Sequence, residues 1–186
     1  MKKLFPLALV AAMAVLMFIP ACGGGGGGGG GGTAVTADYV STDTPLSIPD
    51  SNSSETVPGL VSSYMLVTGA PNPVSKVTLT INITHTYTPD LWIYLISPSS
   101  TSVLVSWMNG DLDFDGVGKN YSYTTFDDDA VVYIWQANNP FSGTYIPDNL
   151  LSAFNGEDPN GVWTLTVIDD WYFDTGKLKS WGINID

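Results

Sequence analysis

The chain has 186 residues, with six lysines, no arginine and eighteen Asp and Glu, for a net charge of −12. A surface this acidic repels nucleic-acid phosphates and anionic lipid headgroups alike, so neither nucleic acid nor electrostatic membrane binding fits it. One cysteine and one histidine exclude an intrachain disulfide and fall short of the ligand set of a zinc site, which leaves the oxygen-seeking divalent cations, calcium first, as the metals this composition draws.

Lys2 and Lys3 precede an apolar run over residues 4–19 that is broken only by Pro6. That run is short of the roughly 20 residues needed to cross a bilayer, and a basic start, an apolar run and small residues after it read as a signal peptide. Ile19-Pro20-Ala21-Cys22 resembles a lipobox, in which the cysteine thiolate takes a diacylglyceryl group by thioether linkage and the chain is cut just before it; Pro20 departs from the small residue usual there. The competing reading of Cys22 is an incidental cysteine closing an ordinary signal peptide. The unbroken glycine tract at residues 23–32 favours lipidation, because an anchored domain needs a tether and polyglycine is a flexible one. Gly23 is not the aspartate associated with inner-membrane retention, so the expected address is the outer membrane or the cell surface, with the membrane reached through the lipid on Cys22. The expected organisation is a signal peptide at 1–21, a tether at 22–44 and one folded domain at 45–186.

From residue 45 onward the hydrophobic pattern has period two. Val77, Leu79, Ile81, Ile83 and His85 share one strand face, and Thr78, Thr80, Asn82 and Thr84 take the other. Similar runs rich in β-branched or aromatic residues predict strands at 61–67, 91–96, 103–107, 131–135, 162–168 and 181–185, and helical periodicity is missing. The run 91–96 is apolar on both faces, which predicts a central, covered strand. Asn109-Gly110, Asn155-Gly156, Asn160-Gly161 and Asp174-Thr175-Gly176 supply turns. Many short strands between such turns predict an all-β, jelly-roll-like antiparallel β-sandwich.

Several stretches recur in a recognisable order. Leu46-Ser47-Ile48-Pro49-Asp50 and Ile83-Thr84-His85-Thr86 lead to Asp90-Leu91-Trp92-Ile93-Tyr94-Leu95-Ile96-Ser97-Pro98, then to Phe126-Asp127-Asp128-Asp129-Ala130, Gly143-Thr144-Tyr145-Ile146-Pro147 and Leu151-Ser152-Ala153-Phe154-Asn155-Gly156. The close is Gly161-Val162-Trp163-Thr164-Leu165-Thr166-Val167-Ile168-Asp169-Asp170 with Asp174-Thr175-Gly176-Lys177-Leu178-Lys179-Ser180-Trp181. Over about residues 45–186 the chain resembles the P domain, also called the P/Homo B domain, of proprotein convertases and bacterial subtilisin-like proteases. Ser99-Ser100-Thr101 departs from the pattern, since many members have a glycine before the threonine, and the loop after Trp107 is unusually acidic. The resemblance implies a β-sandwich that packs beside a subtilisin-like catalytic domain and supports its folding, and it ties the chain to serine-type endopeptidase activity and proteolysis. No stretch of the sequence resembles that catalytic domain, so no catalytic residue carries over and proteolysis is expected in a partner.

A Ser-His-Asp triad needs a histidine base facing an activated serine, and His85 lies on the apolar face of its strand, where it reads as a buried, hydrogen-bonded residue. Asp111-Leu112-Asp113-Phe114-Asp115-Gly116 sets three carboxylates at alternating positions before a turn-forming glycine, like the opening of a calcium loop. An EF-hand would have a bidentate Glu where this chain has Ser122, so a looser calcium site at Asp111, Asp113 and Asp115 stands against a solvated acidic turn. Asp90, the run Asp127-Asp128-Asp129, and Asp169-Asp170 with Asp174 read as carboxylates that order loops by accepting backbone N–H groups or by sharing a cation. Trp92, Trp163 and Trp181 read as core, whereas Trp171, Tyr172 and Phe173 sit in a loop between Asp170 and Asp174 and form the expected contact patch. The expected function is a non-catalytic, tethered accessory module for a secreted protease or another surface protein. The rival is a glycan-binding or adhesive lipoprotein, and hydrolysis by the chain itself ranks last.

Overall fold

In the computed structural model residues 37–110 and 118–186 are described, and their regular structure is strand apart from three short 3-10 turns. The strands are β1 (Tyr39–Val40), β2 (Leu46–Ile48), β3 (Gly59–Val67), β4 (Val77–His85), β5 (Leu91–Ile96), β6 (Ser102–Trp107), β7 (Tyr121–Phe126), β8 (Thr144–Tyr145), β9 (Gly161–Asp169) and β10 (Gly176–Ile185). One sheet runs β1-β10-β4-β7-β8, with β2 also paired to β10, and the other runs β3-β9-β5-β6. Named strands pair antiparallel except β7 with β8. The result is an all-β sandwich, as the period-two pattern requires.

β4 shows why the sheets stack. Leu79, Ile81 and Ile83 are fully buried while Thr78, Asn82 and Thr84 are half-buried, so one face is surrendered to the core. Facing strands answer with Leu91, Ile93 and Leu95 from β5 and Trp163, Leu165 and Val167 from β9, each fully buried. Every such aliphatic side chain removed from water contributes about 1.5–3 kcal/mol. The two core indoles also satisfy their N–H groups: Trp163 donates to the Pro159 carbonyl at 2.8 Å and Trp181 to Ser63 Oγ at 2.6 Å.

The folded unit takes in residues upstream of Pro45. Tyr39 and Val40 pair with Ile183 and Gly182 of β10, and Asp43 accepts from the Ser63 hydroxyl and from the Tyr64 N–H at 2.7 Å. Asp43 thereby caps a donor on β3, the edge strand of its sheet, with a charge that discourages further pairing.

Three local expectations change. Residues 131–135 are not a strand: Ile134 is buried, but Val131, Val132, Tyr133 and Trp135 are exposed, and Ile134–Gln136 forms a 3-10 turn closed by Gln136 N–H to Tyr133 O at 3.0 Å. A β-rich composition does not make a strand where only one residue in five finds the core. β7, in contrast, arises from the polar run Tyr121 to Phe126 because β4 offers it a partner edge. Finally, β5 is central but its outer face is half-buried, with Trp92 packed edge-on to Trp107 at 5.8 Å.

Candidate functional site

The strand register gathers chemistry at one end of the sandwich. β9 lies between β3 and β5, with Asp169 opposite both Gly59 and Leu91, so the end of β9 meets the start of β5. The Asp170 N–H donates to the Asp90 carbonyl at 3.1 Å, sealing that junction. In the other sheet β4 ends at His85 opposite Gly176, and the segment 170–175 passes from β9 to β10 between them.

His85 joins the two sheets. Its Nε2 lies 3.1 Å from Asp169 Oδ2 and its Nδ1 lies 2.7 Å from the Tyr87 carbonyl, with both side chains of the His-Asp pair fully buried. Nδ1 also accepts from the Tyr87 N–H at 3.2 Å, and the ring's pKa is raised: burial opposes the charged form, but the Asp169 hydrogen bond and charge outweigh it. A ring so engaged has no nitrogen left to serve as a general base. Gly176 is the counterpart in β10, since a Cβ there would stand 2.3 Å from the Thr84 carbonyl and 2.4 Å from His85 Cδ2.

Carboxylates crowd around this pair. Asp90, 5% exposed, is pushed up to about 7, chiefly by burial and then by the charges of Asp169 and Asp174, with His85 opposing. Asp169 is raised by burial against the pull of His85, with Asp50 adding to the rise. In metal-free buffer the native state therefore holds protons that the unfolded chain gives up from about pH 4, the ordinary Asp value being 3.8. His85 acts in the same direction, its stabilisation being complete below its ordinary 6.5 and lost above its raised value. Stability should fall as pH rises from about 4 to just beyond 7, by up to ~1.4 kcal/mol per pH unit for each proton involved. Urea midpoints at pH 5 and pH 8 read this directly, and a higher midpoint at pH 8 would contradict it.

Above the acids stands the aromatic loop. Trp171 and Tyr172 are about one-third exposed, Phe173 is 83% exposed, and the Tyr172 and Phe173 rings lie 4.3 Å apart. Phe173 has φ +99°, a conformation unfavourable for a bulky residue, and its N–H is held by Asp50 Oδ2 at 3.1 Å. Thr86 and Thr175 close the base of the loop by reciprocal bonds, Thr86 N–H to Thr175 O at 3.1 Å and Thr175 N–H to Thr86 Oγ1 at 2.9 Å. The backbone thus spends strain to hold an apolar ring in water.

The other sequence-derived positions fall elsewhere. Cys22, and Asp111, Asp113 and Asp115, lie outside the described residues. Asp127 and Asp129 bind Lys76 Nζ at 2.9 and 2.7 Å, and Asp128 accepts the N–H groups of Leu151 and Ser152, both at 2.8 Å, which orders the following turn. Sequence reasoning missed a second aromatic surface: Tyr133 and Trp135, about half exposed, stack at 5.6 Å and 28°. It also missed Asp50 as the residue that holds Phe173. An aspartate two residues past a short strand, just before Ser51-Asn52, carries no signal of a partner over a hundred residues away.

With this geometry in view, the comparisons are specific. The model of the proprotein convertase P-domain family matches residues 74–185. A calcium-dependent protease of Trichormus variabilis is 30% identical over 125 residues, 67% of this chain and 16% of that protein. A transglutaminase-activating metalloprotease of Streptomyces mobaraensis is 29% identical over 139 residues, 74% of this chain and 14% of that protein. The chain therefore spans about one-sixth or less of the length of these relatives. A crystal structure of a serine protease of Aeromonas sobria aligns with 76% of this chain and 27% of its own, at 18% identity and a TM-score of 0.42.

Proposed function

This chain belongs to the proprotein convertase P-domain family, and we propose that it serves as a non-catalytic accessory module, tethered through a lipid on Cys22 to the outer membrane or cell surface, that binds and stabilises a secreted serine-type endopeptidase. The observation that carries the reading is Phe173, held in solvent by strained backbone and the Asp50 carboxylate. Strain of this kind is kept where an exposed side chain has a use, and an apolar ring presented beside Trp171 and Tyr172 suits a protein surface. His85, with both ring nitrogens engaged, argues against hydrolysis by the domain itself. Calcium belongs to the same proposal, supported by the acidic balance of the chain and by the name its relative carries.

The test is recovery of a serine hydrolase. Immobilised protein incubated with native envelope extract should retain a protein labelled by a fluorophosphonate probe, and the Trp171→Ser/Phe173→Ser variant should lose it without a lower melting temperature. Retention of no labelled protein by the wild type, or equal retention by the variant, would refute the partner assignment. A second reading, recognition of glycans, is favoured by the flat Tyr133 and Trp135 pair, whose spacing suits stacking on sugar rings. Glycan-array binding lost on Trp135→Ala or Trp171→Ala would select it.

A further inference from the structure

We propose that a depression on the outer face of the six-stranded sheet, beside the aromatic loop, binds a carboxylate carried by a peptide segment of a partner, with the ammonium groups of Lys119 and Lys177 as its counter-charges. The inference rests on the protein-partner reading for the source of the carboxylate, not for the pocket itself. The depression has a volume of about 360 Å³; Thr84, Thr86, Lys119, Asn120, Thr175 and Lys177 are among its lining residues, and no carboxylate lines it. Lys177 of β10 stands directly opposite Thr84 of β4, and alternation along β4 turns Thr84 away from the core that buries Ile83. β7 borders β4 on its other side, pairing Tyr121 with Ile83, so Lys119 and Asn120 enter from that flank. Two strand spacings, about 10 Å, separate the arms that carry the two lysines, and their long side chains can meet over one group seated on Thr84.

Charge sets this depression apart from the rest of the surface. Of the six lysines in a chain of net charge −12, Lys76 is tied to Asp127 and Asp129, whereas among the described residues neither Lys119 nor Lys177 has a carboxylate within ion-pair distance. Two neighbouring lysines left unpaired in a chain with eighteen acids make a local positive field that a ligand can use. The groups between them add donors. Asn120, at φ +65°, accepts the His85 N–H on its Oδ1 at 3.0 Å, which commits that end of the amide and leaves the Nδ2 donor as its free end. Ammonium and amide donors without a lining acid suit an anion. The net charge of the chain repels polyanions at long range, but a Debye length of about 8 Å at physiological salt screens distant acids while charges in contact keep their pull, so a single carboxylate is accepted where a charged polymer is not. The position next to the aromatic loop favours a peptide as its carrier. Thr86 and Thr175 line the depression and also close the base of the loop that presents Phe173, by bonds of 3.1 and 2.9 Å. A partner that presses an apolar side chain on Phe173 therefore sets a neighbouring acidic residue over the lysines, and the charge pair gives orientation to the apolar contact.

Full-length protein isotope-labelled in lysine gives one ε-methylene NMR signal for each of its six lysines. Titration with acetyl-Leu-Glu-Leu-amide should move the Lys119 and Lys177 signals saturably and leave those of Lys76 and Lys179 in place, while the uncharged acetyl-Leu-Gln-Leu-amide should bind at least about tenfold more weakly. In Lys119→Gln the Lys177 signal, and in Lys177→Gln the Lys119 signal, should respond about fivefold more weakly or less, with the urea midpoint unchanged because both side chains are exposed. Inorganic phosphate at matched ionic strength should bind less tightly than the Glu peptide, since it lacks the apolar flanks that reach Phe173. Absence of a saturable shift, equal movement of all the lysine signals, equal binding of the two peptides, an undiminished response in the single variants, or tighter binding of phosphate would each overturn the site. No protease enters this titration, so it reads the pocket even where hydrolase capture fails, and failure of one assignment is distinguishable from failure of the other.

Discussion

Replacing His85 with phenylalanine is expected to destabilise the domain by about 3–5 kcal/mol, the range for removing one partner of a buried ion pair. Phenylalanine fills much of the same space, so the loss comes from electrostatics and not from a cavity. Asp169 Oδ2 loses its 3.1 Å contact to Nε2 inside a fully buried setting, and Oδ1 on the same carboxylate has no partner to compensate. The Tyr87 carbonyl loses its Nδ1 contact at 2.7 Å as well. Asp169→Asn is the control: an amide oxygen can still face the ring while the buried negative charge disappears, so its cost should be clearly smaller. Urea unfolding separates the two, with the midpoint falling and the denaturant slope unchanged. A His85→Phe loss below about 1 kcal/mol would show that the pair does not hold the sheets together at this end.

Gly176→Ala is expected to be at least as damaging, on the order of 3 kcal/mol or more, because the added methyl meets backbone. Its Cβ would lie 2.3 Å from the Thr84 carbonyl, which belongs to the adjacent strand and cannot rotate away, and 2.4 Å from a His85 ring fixed at both nitrogens. Relief requires β10 and β4 to separate where they carry the aromatic loop. Gly156→Ala and Gly69→Ala make the contrast, since each has open space around its Cβ but positive φ, and each should cost only about 1–2 kcal/mol. Soluble yield and urea midpoint of the three variants give the comparison, and equal losses at all three would refute steric exclusion at Gly176.

The two experiments probe a region whose parts were unequally visible in the primary structure. His85 as a buried strand residue followed from the alternation of β4, and the acids Asp169, Asp170 and Asp174 were visible as a group because they are neighbours in the chain. Asp50 was not, because a single aspartate after Pro49 has no local feature that distinguishes a loop residue from one that holds Phe173. The left-handed backbone of Phe173 was equally invisible, for it runs against the residue's own preference and exists only because Thr86, Thr175 and Asp50 impose it. Exposure of Tyr133 and Trp135 escaped for the opposite reason: β-favouring residues imitate a strand, and burial of Ile134 alone is a tertiary outcome.

By itself the sequence determined the all-β class, the inward faces of β4, β5 and β9, and the family, since alternation of apolar residues and turn-forming Asn-Gly and Asp-containing segments are local properties that sterics and solvent translate directly into strands and turns. Only the tertiary structure decided that Asp50, His85, Asp90, Asp169 and Asp174 share one end of the sandwich, because that depends on β9 inserting between β3 and β5 and on β10 pairing with β4. Those pairings join positions about 70 to 110 residues apart, and no local preference encodes which charges they bring together or which oxygens they leave without a partner.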